Sequence, residues 1–249
     1  MIVIPMAGLS SRFKKAGYDL PKYMLTAHGK TLFNHSVESF KNYFLSKPFL
    51  FIALDVFDTK VFLEKECKQL GIKNYHIVTL DAPTSGQAET VYQGLKLAKI
   101  EPNESLTIFN IDTFRPNFSY PIEFNIDEID GYLETFIGSG ANWSNILPAD
   151  EKLQTVALTA EKQEISQYCC TGLYYWRYCD DFCRIFERYK KQNVSEIQAG
   201  EYYIAPMYNN LINEGKDVRF SIIANEDVIF CGVPDEYLEF MGLVDDLQR

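Results

Sequence analysis

Residues 1–25 read MIVIPMAGLSSRFKKAGYDLPKYML. An apolar run from Met1 to Ile4 leads into small residues, and these give way to the cations Arg12, Lys14, Lys15 and Lys22. A buried strand that releases a loop from its C-terminal edge is the arrangement by which open α/β sheets bind ligands. Ala7, Gly8, Ser10 and Ser11 let the main chain come close to a ligand, and successive N–H groups in such a turn form an anion-binding nest. Arg12 adds a forked donor suited to phosphate oxygens, while Lys22, fixed by Pro21, adds a compact point charge. The loop is a triphosphate cradle in outline. On charge alone, a solvated basic loop reads equally well.

Outward from this loop, short apolar runs alternate with segments of helical period, the pattern of β-α-β units. Strands are expected over 2–5, 49–54, 75–79 and 106–111, with helices over 32–44, 58–70 and 87–98 between them. Gly71 is placed as a helix stop. Strands then dominate, over 131–137, 153–158 and 170–176, which implies a mixed sheet. Helices over 179–192 and 201–214 follow, then strands over 218–224 and 228–231. A last helix is expected after Pro234, with Tyr237, Leu238, Met241 and Val244 on one packing face and Asp245-Asp246 as a solvated tail. No linker divides the chain, so one domain spans 1–249.

A net charge of −10 sets the whole-protein field against nucleic acid and anionic membrane, so neither is expected as a partner. A small anion is different, because a local basic pocket can hold it. No stretch approaches the roughly 20 apolar residues of a membrane span. The six cysteines include no C-x-x-C pair and match no common zinc spacing, so buried, reduced thiols in a cytoplasmic protein are expected. His28, His35 and His76 read as isolated residues. Two phosphate-loop patterns fail: the dinucleotide fingerprint meets Ser10 and Phe13 after Gly8, and a Walker loop ending at Gly29-Lys30-Thr31 has Met24 at its first glycine position. Gly29-Lys30 reads better as a turn before the helix at Leu32.

The strand, Ala7-Gly8-Leu9-Ser10-Ser11-Arg12 and Pro21-Lys22 together resemble the G-x-G-x-R…P-K signature of nucleotidyltransferases, which activate sugar phosphates, phosphocholine and related acceptors. Further matches follow in order: TSGQAET at 84–90, Asn110-Ile111-Asp112, Glu161-Lys162 followed by TGLYY at 171–175, and CGVPD at 231–235. The resemblance covers nearly the whole chain. It implies an α/β, Rossmann-like nucleotidyltransferase fold, with a central mostly parallel, mixed β-sheet flanked by helices. About 1–115 would bind nucleotide and about 116–249 the acceptor. Three positions depart from the pattern: Ser10 replaces the second glycine, Tyr23 stands where proline commonly follows P-K, and Phe230 stands where many relatives carry a second metal aspartate.

Carried onto this chain, the resemblance implies attack by an acceptor phosphate oxygen on the α-phosphorus of a nucleoside triphosphate, with Mg²⁺ as cofactor. Arg12, Lys22 and Lys162 would be catalytic. Ala7, Gly8, Leu9, Ser10, Ser11, Ser85, Gly86, Gln87 and Asn110 would hold the nucleotide, and Glu161, Lys162, Gly172 and Trp143 the acceptor, with Tyr174 or Tyr202 as further walls. Asp112 would carry the metal, with Asp227 as second ligand. Each also has a plain structural role open to it: Asp112 as a cap, Lys162 as a strand-end lysine, Gln87 as a helix start, Glu161 and Asp227 as solvated acids. The opening and the segment TSGQAETVYQGL are most similar to capsule-associated cytidylyltransferases, which implies CTP and L-glutamine phosphate as substrates. A sugar-1-phosphate nucleotidyltransferase and a catalytically silent nucleotide-binding subunit are the alternatives. The sequence leaves the oligomeric state open, a homo-oligomer included.

Overall fold

Burial on both faces makes the opening run a central strand rather than an edge. In the computed structural model, which describes residues 1–192, 197 and 200–243, the strands are β1 (Ile2–Met6), β2 (Thr26–Ala27), β3 (Lys30–Thr31), β4 (Phe49–Leu54), β5 (Tyr75–Leu80), β6 (Leu106–Phe109), β7 (Thr113–Phe114), β8 (Gly131–Ile137), β9 (Ser144–Asp150), β10 (Thr155–Glu161), β11 (Tyr168–Trp176), β12 (Val218–Ile223) and β13 (Ile229–Phe230). The helices are α1 (Ser11–Lys15), α2 (Leu32–Val37), α3 (Thr59–Leu70), α4 (Gln87–Leu97), α5 (Cys179–Tyr189), α6 (Tyr208–Asn213) and α7 (Pro234–Phe240). Val244 and Asp245-Asp246 lie outside the described residues.

The main sheet runs β5-β4-β1-β6-β11-β8-β12-β10-β9. Its first four strands are parallel, as are β8 and β12. β11 is antiparallel to β6 and β8, and β10 to β12 and β9, so every other strand shares one direction. The expected mostly parallel, mixed sheet is present. Successive side chains on a strand point to opposite faces, and here both faces are covered. Val3, Leu50 and Ile52 join one apolar core with residues of α4, α5 and α6. Ile2, Ile4, Phe49 and Phe51 join another beneath α2 and α3. Each such side chain contributes about 1.5–3 kcal/mol on burial, which explains why these strands read as unbroken apolar runs.

Several local elements differ from expectation. β9 is a further strand, and its Pro148 sits where the pairing with β10 slips register; proline inside a run masks a strand. The strand expected at 153–158 begins at Thr155 and extends to Glu161, because Gln154 takes a left-handed turn. The helix expected over 32–44 changes to a 3₁₀ turn, with Phe40 non-helical (φ −101°, ψ 21°) and packed on Phe109 and Phe118. The helix expected over 201–214 starts only with a 3₁₀ turn at Ala205–Met207, with Pro206 as its second residue. Gly71 does end α3 in the left-handed region, and His28-Gly29 forms the turn of the β2–β3 hairpin before Thr31 caps α2.

α7 returns to this hairpin. Phe240 packs on His28, His35 and Phe114, so two histidines read as isolated meet on one ring. All six cysteines are buried free thiols. Among the described residues no helix is long and apolar enough to cross a membrane.

On the outer layer, Glu214 receives Arg184 Nη1 at 2.7 Å and Arg188 Nη1 at 2.8 Å. The Arg184 hydrogen bond, with Arg188, holds the Glu214 carboxyl at about 2 against an ordinary 4.5. A depressed folded-state value stabilises above the unfolded value and is lost as pH falls through the folded one. Between pH 5 and 2 the wild-type Tm is therefore expected to fall more steeply than that of Glu214→Gln. Equal slopes in thermal melts would contradict this, and solvent exposure keeps the effect modest.

Candidate active site

The chain leaves β1 through Ala7 and turns at Ser10, which takes φ 50°, ψ 35°. A left-handed serine costs about 1 kcal/mol, and its neighbours hold it there. Ser10 Oγ accepts the Lys22 N–H at 3.3 Å, and Ser10 O accepts the Lys14 N–H at 3.0 Å. The serine at the second glycine position thus fixes the basic loop to the Pro21-Lys22 segment. Ala7, Gly8, Leu9, Ser10, Ser11 and Arg12 line a cavity of about 500 Å³ together with Lys22, Ser85, Gly86, Gln87, Asn110 and Asp112. That volume is in the range of ligand pockets.

The far wall is pinned by main chain. Tyr202 N–H donates to Ser85 O at 2.8 Å, and Ala88 N–H donates to Tyr202 O at 2.9 Å. Gly86, at φ 139°, passes so close that a Cβ would lie 2.5 Å from Tyr202 N. This close approach presents Gln87, whose Nε2 donates to Asn110 Oδ1. Asn110 in turn fits only because residue 172 is glycine: at φ 94°, a Cβ there would fall 2.3 Å from Asn110 Nδ2. Tyr202, expected as an acceptor wall, is instead buried as this pin, and its neighbour Tyr203 faces the cavities.

A second cavity, of about 430 Å³, shares Arg12, Gln87, Asn110, Asp112, Lys162, Tyr203 and Gly232 with the first. Trp143, Glu161 and Gly172 line it, along with Ser144, Tyr174, Phe230 and Glu236. Lys22 Nζ donates to Asp112 Oδ2 at 2.5 Å where the two spaces meet. Burial alone would raise the Asp112 carboxyl, but the charge and hydrogen bond of Lys22, with Arg12 nearby, hold it below its ordinary value. Arg12 is exposed and makes no ion pair among the described residues. Lys162 turns at φ 51° after β10 and reaches Tyr203 OH at 2.6 Å. Burial pulls its ammonium down, and Tyr203 with Glu201 and Glu161 raises it by more. Glu161, at 3% exposure, accepts from Ser144 Oγ, and burial pushes its carboxyl up despite that bond.

The acids fall differently from expectation. Asp227 is exposed in a 3₁₀ turn and is not among the residues lining either cavity; its carbonyl receives Arg115 Nη1 at 3.4 Å. The carboxylate beside Asp112 is Glu236. A Cβ on Gly232 would sit 3.0 Å from Asp112 Oδ2 and 3.6 Å from Glu236 Oε2. Glu236 also accepts the Gly232 and Val233 N–H groups at 2.6 and 3.2 Å, which orients it. Its position in the third place of α7 reads in sequence as a helix cap. Phe230, at the position of the missing aspartate, packs on Trp143 with ring centroids 4.6 Å apart. Among the described residues no three His, Cys, Asp or Glu side chains group as a metal site. The hard carboxylates Asp112 and Glu236 suit Mg²⁺, an ion that commonly takes one or two carboxylates and completes its shell with substrate phosphates and water.

No family model matches the sequence, and a comparison with curated proteins gives no match. Among solved structures, the chain is similar to the nucleoside-diphosphate-sugar pyrophosphorylase from Vibrio cholerae RC9, with 51% identity, 97% of this chain and 100% of that chain covered, and a TM-score of 0.92. It shares its fold with the inositol-1-phosphate CTP transferase from T. maritima, at 14% identity over 98% and 96% of the two chains with a TM-score of 0.71. The two cavities join at Arg12, Lys162 and Asp112, and with 51% identity to the pyrophosphorylase over 97% of its length the chain belongs to the nucleotidyltransferase family, as an enzyme of nucleotidyl transfer.

Proposed function

We propose that the protein joins CTP to L-glutamine phosphate, releasing pyrophosphate and forming CDP-L-glutamine. The observation that carries this reading is the junction of the two cavities, where an α-phosphate on one side can meet an acceptor phosphate on the other. An acceptor phosphate oxygen forms the new bond to the α-phosphorus as the α–β P–O bond breaks, and pyrophosphate leaves with the electron pair. A phosphate is mostly dianionic near neutral pH, so no strong general base is required. The task is to hold two anions in line. The Gly8–Ser11 amides and Arg12 hold the β- and γ-phosphates, Lys22 stabilises charge at the α-phosphate, and Lys162 draws in the acceptor phosphate. Asp112 and Glu236 would hold Mg²⁺, which when bound neutralises triphosphate charge. Residues to about 115 supply most of the nucleotide wall, and later residues most of the acceptor wall.

Gln87, set between Asn110 and the Gly86 main chain, reads the edge of a pyrimidine. The acceptor cavity combines the cations Arg12 and Lys162 with the carboxylates Glu161 and Glu236 and the rings of Trp143, Tyr174 and Phe230. This mixture suits a phosphorylated amino acid, whose ammonium matches carboxylates and aromatic faces. A sugar-1-phosphate acceptor is the second reading, favoured by Asn142, Ser144 and Thr171 in the same lining.

The test incubates the protein with Mg²⁺, each of the four triphosphates and a panel of phosphorylated acceptors, and measures pyrophosphate. Release with CTP and phosphoglutamine supports the reading; release only with hexose 1-phosphates selects the alternative. Gly232→Ala probes the junction itself. Its methyl presses on Asp112 Oδ2 from 3.0 Å, so kcat should drop about 10-fold with Tm nearly unchanged, and a wild-type kcat would contradict the placement of Asp112.

A further inference from the structure

Tyr203 lines both cavities, as does Lys162. Its main chain is held on either side, because Tyr202 is pinned between Ser85 and Ala88 and Ile204 is buried. Across from it, the Lys162 N–H donates to Trp143 O at 3.0 Å, and Lys162 Nζ lies 2.6 Å from Tyr203 OH. We propose, resting on the transfer reading above, that Tyr203 is a further catalytic residue whose hydroxyl donates to the acceptor's phosphate beside Lys162.

The Lys162–Tyr203 bond has one possible direction. An ammonium carries three donors and no acceptor, whereas a phenol can donate and accept. Burial lowers the Lys162 ammonium, but Tyr203, Glu201 and Glu161 raise it by more, so it stays charged and must donate. Burial, with the Glu201 charge, raises the Tyr203 phenol by more than the Lys162 bond lowers it, so the phenol keeps its proton. That proton is therefore turned away from Lys162, and among the described residues Lys162 is the hydroxyl's one hydrogen-bond partner. A hydroxyl that accepts from a cation is also the stronger donor. The nucleotide's phosphates already have Arg12, Lys22 and the loop amides. On the acceptor side, two donors as close as Lys162 and Tyr203 can take two oxygens of one phosphate and leave the third to attack. Such a grip orients the attacking oxygen, where a single ammonium would only attract the anion.

Tyr203→Phe keeps the ring and removes only the hydroxyl. In pyrophosphate-release assays it should lower kcat/KM for phosphoglutamine about 10–100-fold, the loss of a hydrogen bond to a charged group, with the KM for CTP unchanged. A wild-type kcat/KM, or an equal rise in both KM values, would overturn the proposal. A hydroxyl that only steadied Lys162 would lower activity too, so a second measurement follows the phenol itself. In the full chain carrying Tyr203→meta-fluorotyrosine, with the unreactive analogue α,β-methylene-CTP bound, the fluorine NMR resonance should shift on adding phosphoglutamine and stay in place on adding L-glutamine. The shift should survive Lys162→Met at saturating phosphoglutamine. No shift, the same shift with L-glutamine, or a shift lost in Lys162→Met would overturn the proposal. If the acceptor panel selects another phosphorylated compound, that compound and its dephosphorylated form replace this pair. The transfer reading is judged by which acceptor releases pyrophosphate, and the role of Tyr203 by whether its phenol responds to that acceptor's phosphate.

Discussion

Lys22→Ala should lower kcat/KM for nucleotidyl transfer about 10²–10³-fold, the loss typical of removing one preorganised donor to a charge that develops in the transition state. Lys22 is held for this task by three features. Pro21 fixes the entry to its 3₁₀ turn, its N–H binds Ser10 Oγ, and its ammonium is aimed at Asp112 between the two cavities. Stability should fall far less, by about 1–2 kcal/mol, because Asp112 keeps some contact with water when its partner is gone. Lys22→Arg should rescue activity only in part, since a planar fork does not place its charge where a compact ammonium does. Steady-state kinetics with chemical denaturation checks both quantities. A variant with near-wild-type kcat/KM would remove Lys22 from the mechanism.

Gly86→Ala is expected to act through the fold first. Its Cβ would lie 2.5 Å from Tyr202 N and 2.6 Å from Tyr202 O. Tyr202 cannot yield easily, because hydrogen bonds to Ser85 and Ala88 grip it from both sides and its ring is buried. The φ of 139° adds strain that no other side chain tolerates well. The two costs together should remove about 2–4 kcal/mol of stability and pull Gln87 away from Asn110, raising the KM for nucleotide. Thermal melts and nucleotide titration read the two effects separately. A variant with unchanged Tm would mean that Tyr202 does not pack against this loop.

What the sequence makes legible follows the range of the physics. β1 and β4 are readable because burial on both faces leaves continuous apolar runs, and α3 because Gly71 marks its end. β9 and the start of α6 are not, because Pro148 and Pro206 signal local breaks that long-range pairing and packing override or displace. The basic loop is readable as an anion site, but its pairing with an acid 90 residues away is a tertiary fact. Glu236 was hidden for another reason: its bonds to Gly232 and Val233 imitate an ordinary helix cap, and only the fold brings its oxygen near Asp112. Phe230 reads in sequence as a missing ligand. In the fold it is a wall of the second cavity, its ring tilted against that of Trp143.

The most direct measurement is a crystal structure with CTP and Mn²⁺, located by anomalous scattering. The triphosphate should lie along Gly8–Arg12 with Lys22 at the α-phosphate and the Mn²⁺ peak against Asp112. Density for the triphosphate outside this cavity, or a metal peak away from Asp112, would contradict the account.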